Sequence, residues 1–308
     1  MPLSIRNMQA GDWEAVSRLD TLAFNSYYQK TGRELLSQQR TRANLTASLA
    51  IFPEGCFVAQ DVEPVGFIFS RVIGKLGWIG TFGLDPNYHG RGLGQQLIKR
   101  AVASLEQAGC ATIGLETMPD SPYNVGLYTH LGFMPVYPTL YMSKTTEPGA
   151  SNLPLDLLSN LNEAQALAQI SALSQAVNPQ LDYRVEAQNA KTYGWGDMLL
   201  FGWPAPWGFA IIRTSAIRGD DSPAVCEIVA AVLAPHARSR LGEALESIQT
   251  YAHEHKAGQI GLPLNTLDSR ALQTATSHGY RVGRVLLRLI YRGQLPPSEG
   301  LDLSRWAM

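Results

Sequence analysis

Leu84–Ile98, LDPNYHGRGLGQQLI, passes from an apolar segment through three closely spaced glycines into a helical periodicity. Asp85-Pro86 closes a strand; Leu93, Leu97, Ile98, Ala101, Val102 and Leu105 then fall on one face of a long helix ending near Gly109. A helix start presents unpaired backbone N–H groups and a partial positive charge, so strand, glycine loop and helix in succession form an anion site. Glycine lets phosphate oxygens reach the backbone without a Cβ in the way. The loop is not of the Walker type, because Gln95-Gln96 follows Gly94 where Lys and Ser or Thr are required, nor is it GxGxxG, because Leu97 replaces the last glycine. Taken alone it reads either as a phosphate cradle or as a tight helix start.

Strands and helices alternate around this loop. Leu3 to Met8 is predicted as a short strand, and a helix follows from Asp12, with Trp13, Val16, Leu19, Leu22 and Ala23 at helical spacing. A second helical stretch is expected after Gly32, carrying Leu35, Leu36 and Leu45. Cys56 to Gln60, Pro64 to Val72 and Leu76 to Leu84 form a strand meander. After the long helix come a buried strand (Ala111 to Thr117), a helix (Pro122 to Leu131) and an extended segment (Phe133 to Ser143). This is an α/β sheet, mixed and mostly antiparallel, flanked by helices.

Thr145 to Pro154 combine Pro, Gly, Ser and Thr without apolar periodicity and read as a linker between domains at 1–146 and 155–293. The second half repeats the first. Val65-Gly66-Phe67 through Arg71 matches Trp207-Gly208-Phe209 through Arg213; Leu93-Gly94 matches Leu241-Gly242. Ile113-Gly114-Leu115 matches Ile260-Gly261-Leu262, and Gly132-Phe133 matches Gly279-Tyr280. Four matches in the same order at nearly constant offset imply a duplicated domain.

The composition of the 308 residues narrows the partners. A formal net charge of -1 argues against a general nucleic-acid or anionic-membrane binder. The odd, widely spaced cysteines Cys56, Cys110 and Cys226 sit in apolar runs and read as reduced core residues rather than metal ligands, disulfides or nucleophiles. No secretory leader or membrane span is read, so a cytoplasmic location is expected, and no metal.

The run LDPNYHGRGLGQQLI, with GLYTHLGF about thirty residues on, resembles the GNAT superfamily of N-acetyltransferases. The family signature, Gln or Arg, two variable residues, Gly, one variable residue, then Gly or Ala, falls on His89, Gly92 and Gly94, with His89 departing from it. The resemblance implies two tandem GNAT-like domains, each with a splayed parallel strand pair, and acetyl-CoA as the acyl donor. N–H groups from Arg91 to Gln95, in a loop that also holds Gly90 and Leu93, would then receive the pyrophosphate. The pantetheine arm would lie between Trp78–Leu84 and Ala111–Thr117, with backbone groups of Gly83 and Leu84 polarising the thioester carbonyl.

Acyl transfer to an amine needs a deprotonated nucleophile and a protonated leaving group. By resemblance Tyr128, in Tyr-Thr-His-Leu-Gly-Phe, faces the sulfur as general acid. Asn124, one helical turn earlier, and Ser121 are candidates to contact the arm. Glu116, the acidic residue of the splayed strand, is the candidate base, acting directly or through water; equally, it pairs with a cation. His130 lies on another helical face and reads as solvated.

In the second copy Arg240 replaces the glycine equivalent to Gly92, and Ala275 stands where Tyr128 would be, so no CoA chemistry is expected there. That half is expected to prop the first, wall off the acceptor cleft or recognise the acceptor, with Trp195, Trp203 and Trp207 as a candidate wall. The amine acceptor, a small molecule or a protein amine, would meet Phe24, Tyr27, Tyr28 and Lys30. A CoA-binding regulatory module without turnover is the alternative.

Overall fold

The computed structural model describes residues 3–149, 151, 153–219, 225–295 and 298–306. Its first half runs β1 (Ser4–Asn7), α1 (Trp13–Thr31), α2 (Arg42–Ile51), β2 (Phe57–Gln60), β3 (Pro64–Ile73), β4 (Leu76–Leu84), α3 (Leu93–Gln107), β5 (Thr112–Thr117), α4 (Pro122–His130) and β6 (Met134–Thr145). The second half repeats that order: β7 (Asp156–Leu157), α5 (Glu163–Val177), α6 (Arg184–Thr192), β8 (Gly196–Phe201), β9 (Gly208–Arg213), β10 (Val225–Leu233), α7 (Leu241–Glu254), β11 (Gln259–Asn265), α8 (Ser269–Ser277) and β12 (Arg281–Arg292). A further strand, β13 (Leu301–Ser304), follows. The mixed, helix-flanked α/β architecture is the one expected from the sequence.

One expected helix is shorter than its pattern. Residues 33–41 are not helical; α2 starts at Arg42, capped by the Thr41 side chain, which accepts from the Asn44 N–H. Long-range contacts win over local propensity here: Arg40 forms a β-bridge with Arg218, and the Thr41 N–H donates to the Ile217 carbonyl at 2.9 Å.

The two halves share one sheet. Its order is β1-β2-β3-β4-β5-β12-β6-β11-β10-β9-β8-β7, with β13 beside β10. Each half's last long strand crosses over: β12 pairs with β5 of the first half, β6 pairs with β11 of the second, and β6 and β12 pair with each other. A core cluster accordingly mixes Ile73, Leu76, Trp78 and Met142 with residues of the second half. A second cluster packs Leu93, Leu97, Ile98, Ala101 and Leu105 of α3 against Ile79, Ile113, Leu115 and Leu289. Residues from both halves thus close the core around β5.

In each half a parallel pair begins and then parts. β4 and β5 are paired from Leu76–Thr112 to Ile79–Leu115, and β10 and β11 from Val225–Gln259 to Glu227–Gly261. Beyond Ile79 the β5-facing edge of β4 has no strand partner among the described residues, and a bulge against β3 at Gly80-Thr81 turns the strand away. In the second half the corresponding gap holds β13, which pairs antiparallel with β10 from Ala230–Ser304 to Leu233–Leu301. Leu301 and Leu303 are buried in the core there.

Candidate active site

The gap between β4 and β5 opens into a cavity of about 610 Å³. Its walls come from α1 (Ala23, Phe24, Ser26, Tyr27, Lys30), β4 from Gly80 to Leu84, the glycine loop, the end of β5 and α4. The second half supplies Arg284, Leu286 and Arg305.

Gly90 and Gly92 have φ of 76° and 73°, the left-handed region that L side chains resist, and Gly92 is the N-cap of α3. This turn brings the start of α3, whose first N–H groups have no partner within the helix, into the cavity lining. A Cβ on Gly94 would approach the Phe82 ring to 3.2 Å, so the third glycine serves close packing. His89, Gly90, Gly92, Leu93, Gly94 and Gln95 all line the cavity, while the Arg91 guanidinium lies over the Tyr88 ring at 4.8 Å. His89 stacks on Tyr123 of α4, with ring centroids 6.2 Å apart. Gly83 and Leu84 line the unpaired edge of β4.

Ser121 caps α4 by accepting from the Asn124 N–H, and both residues face the cavity. Tyr128, one turn further, is 7% exposed and packs edge-on against Phe133 at 5.8 Å. Among the described residues its hydroxyl has no hydrogen-bond partner, and burial pushes its pKa well up, so it stays a proton donor.

Glu116 sits differently from a poised base. Its Oε1 accepts from Arg288 Nη2 (2.7 Å), Arg288 Nε (3.0 Å) and Thr139 Oγ1 (2.6 Å), and its Oε2 from Tyr141 Oη (3.0 Å). Desolvation acts to raise its pKa, but the Arg288 charge and these hydrogen bonds overcome it and hold the carboxyl below the usual range. Arg288 is caged in turn by the rings of Trp306 (4.1 Å), Trp78 (5.3 Å) and Tyr137 (5.4 Å). A charge inside the apolar run LLRLI was the sequence signal for such a partner.

Phe24, Tyr27 and Lys30 line the cavity; Tyr28 packs on Phe24 and Tyr27. Tyr27 Oη and Arg33 both donate to the Asp120 carboxylate, at 2.6 and 2.7 Å, tying α1 to the turn before α4. The tryptophan wall is corrected. Trp207 is buried, stacked on Phe201 at 5.2 Å and covered by Arg240, while Trp195 borders a separate small cavity that Arg71 and Glu186 also line. Those aromatics pack the second half; Arg284, Leu286 and Arg305 face the cavity instead.

At the corresponding position of the second half, Pro235–Arg240 is a 3-10 turn without glycine. Arg240 pairs with Glu243 at 2.6 Å, Arg238 pairs with Asp268 at 2.5 Å, and Ala275 is buried. With β13 in the strand gap, neither a phosphate cradle nor an open groove is present there among the described residues. Burial pushes Cys56 and Cys226 up to about 12 and Cys110 up to about 11. Among the described residues no helix is long and apolar enough to cross a membrane, and no cluster of three or more metal-ligating side chains occurs.

Parting strands, a left-handed glycine loop at a helix start and a buried tyrosine opposite border one cleft. Residues 13–133 match the acetyltransferase (GNAT) family, and this segment is a GNAT domain. Over 76 residues the chain is 29% identical to the [Ribosomal protein bS18]-alanine N-acetyltransferase of Escherichia coli, covering 25% of this chain and 51% of that protein. It is 30% identical over 128 residues to the mycothiol acetyltransferase of Nocardia farcinica, covering 39% of this chain and 41% of that one. The chain therefore spans about half or less of the length of these relatives. A tandem GNAT protein from the clavulanic acid biosynthesis pathway superposes with a TM-score of 0.61 at 14% identity, covering 97% of this chain and 99% of that one. At that identity the likeness establishes the tandem GNAT fold.

Proposed function

We propose that this chain transfers an acetyl group from acetyl-CoA to an amine, at one site in its first half. The observation that carries the reading is the continuity of the cavity, from the left-handed glycine loop along the unpaired edge of β4 to the unpartnered Tyr128 hydroxyl. Left-handed glycines, a helix start and an open strand edge fit a pyrophosphate followed by an amide-bearing arm. The second half, with its gap filled by β13, acts as a wall and a strand donor.

When bound, acetyl-CoA supplies a thioester carbonyl and a thiolate leaving group. N–H groups of the loop from Arg91 to Gln95 hold the pyrophosphate, and Ser121 and Asn124 flank the arm. The edge of β4 near Gly83 and Leu84 donates hydrogen bonds toward the carbonyl oxygen. Tyr128 gives its proton to the departing sulfur. Glu116 serves as a positioning residue, because every hydrogen bond it accepts comes from the wall it organises. The acceptor's proton leaves through water in the cavity. An acceptor that is either a protein amine or a small molecule is in keeping with the names of a ribosomal-protein-alanine N-acetyltransferase and a mycothiol acetyltransferase among the similar proteins.

The paired state of Glu116 also favours a second reading, a CoA-binding module without turnover, since among the described residues the cavity lining then holds no free carboxylate to serve as base. Thiol release from acetyl-CoA over a panel of amines separates the two. Under the transfer reading Tyr128→Phe lowers kcat by about 10²-fold or more and leaves acetyl-CoA affinity within a few-fold. Binding with no thiol release on any amine, or full activity of Tyr128→Phe, refutes it.

A further inference from the structure

The cavity has two faces of unlike charge. On the α3 side the glycine loop lines the cavity; on the β5 side Glu116 lines it, with Arg288 and Tyr141 bonded to its carboxylate through the pairings of β5, β12 and β6. Glu116 and two carboxylates of the surrounding elements are already paired with arginines of the fold. Asp20 receives Arg40 and Arg218, at 3.2 and 2.6 Å; Glu116 receives Arg288; Glu227 receives Arg213 and Arg305. Asp302 is half-buried and accepts from the Tyr183 and Ser304 hydroxyls.

Arg284 stands apart. Its guanidinium lies over the Tyr141 ring at 4.7 Å and, among the described residues, has neither a hydrogen bond nor an ion pair. It lines the cavity and keeps an accessible surface, with Arg305 beside it and Lys30, also without an ion pair among the described residues, on the α1 wall. Arg305, the other arginine of the lining, is paired with Glu227, whereas Arg284 is open toward the cavity and holds a vacant half of an ion pair.

We propose that the acceptor amine carries an anionic group, a carboxylate or a phosphate, and that Arg284 receives it while the amine points at the parting of β4 and β5. This rests on the acetyl-transfer reading. The balance of the step is unchanged by it: the amine nitrogen bonds to the acetyl carbon, the C–S bond breaks, one amine proton leaves through water and the sulfur takes a proton from Tyr128. The anion anchors and takes no part in bond making.

The test compares thiol release with amino acids, their uncharged amides and aminoalkyl phosphates, in wild type, Arg284→Ala and Arg284→Lys. Charged acceptors are expected to exceed the matched amides by about 10- to 100-fold in kcat/KM, the range of a charge-assisted contact. Arg284→Ala should remove that preference through KM with acetyl-CoA affinity unchanged, and Arg284→Lys should retain part of it. Whether acids or phosphates lead identifies the anion. Calorimetric titration of N-acetyl amino acids against their amides, with CoA present, reads the subsite without turnover.

Equal use of acids and amides by wild type overturns the proposal, as does an Arg284→Ala variant that loses acetyl-CoA binding instead of acceptor binding. If no amine is acetylated while N-acetyl amino acids bind in an Arg284-dependent way, the transfer reading falls and the anion subsite stands.

Discussion

Replacing Glu116 by Gln distinguishes a positioning residue from a base. Gln keeps the shape and can still accept from Thr139 or Tyr141, but it removes the charge that Arg288 faces at 2.7 Å. Arg288 is 2% exposed, so water cannot replace the lost partner; what remains is the Tyr137 hydroxyl at 3.5 Å and the aromatic cage. Breaking one side of a buried ion pair costs about 3–5 kcal/mol. Against a stability of about 5–15 kcal/mol that is a large share, and for a chain of this size it lowers Tm by roughly 5–8 °C. Calorimetry and urea unfolding of Glu116→Gln, Arg288→Gln and the double variant form a cycle. The double variant is expected to be clearly more stable than the sum of the singles implies, because it leaves no bare charge. Arg288→Gln should lower kcat about as much as Glu116→Gln. The reasoning is refuted if Glu116→Gln unfolds within about 1 kcal/mol of wild type and abolishes the acid limb of the pH profile while Arg288→Gln remains active.

Two further outcomes are expected. Gly92→Ala meets no atom within 4 Å but forces alanine to a φ of 73°, which costs about 1–2 kcal/mol unless the turn relaxes. Relaxation would spoil the cradle, so acetyl-CoA Kd should rise at least tenfold with little change in Tm, and unaltered affinity by calorimetry would contradict the assigned loop. Glu227, although desolvation acts to raise it, is held down to about 2 by the Arg213 and Arg305 charges. A depressed carboxyl stabilises the fold above its ordinary value of 4.5 and loses that contribution as pH falls toward 2. The urea midpoint should therefore drop across that window in wild type and fall less steeply in Glu227→Gln; parallel curves would show that the pair contributes nothing.

Much of the first half was legible because its signals are local. The spacing of Leu93, Leu97, Ile98, Ala101 and Leu105 specifies a helix buried on one face, and glycines at 90, 92 and 94 specify a turn that side chains would resist. The loss of glycine at Arg240 and the alanine at 275 likewise marked the second copy as altered.

Other features depend on which strands meet, and no local pattern encodes that. The sequence by itself determined the two repeated α/β units, the glycine loop and the position of Tyr128 on its helix. Only the tertiary structure decided that β6 and β12 exchange, because an apolar strand satisfies its hydrogen bonds equally well against either copy's β5 equivalent. That exchange brings Arg288 to Glu116, 172 residues apart, and turns a candidate base into an anchored carboxylate. It also carries Arg284 to the cavity and leaves Leu301–Ser304 to fill the other gap, since a buried charge and an open sheet edge each take the partner that three-dimensional proximity offers.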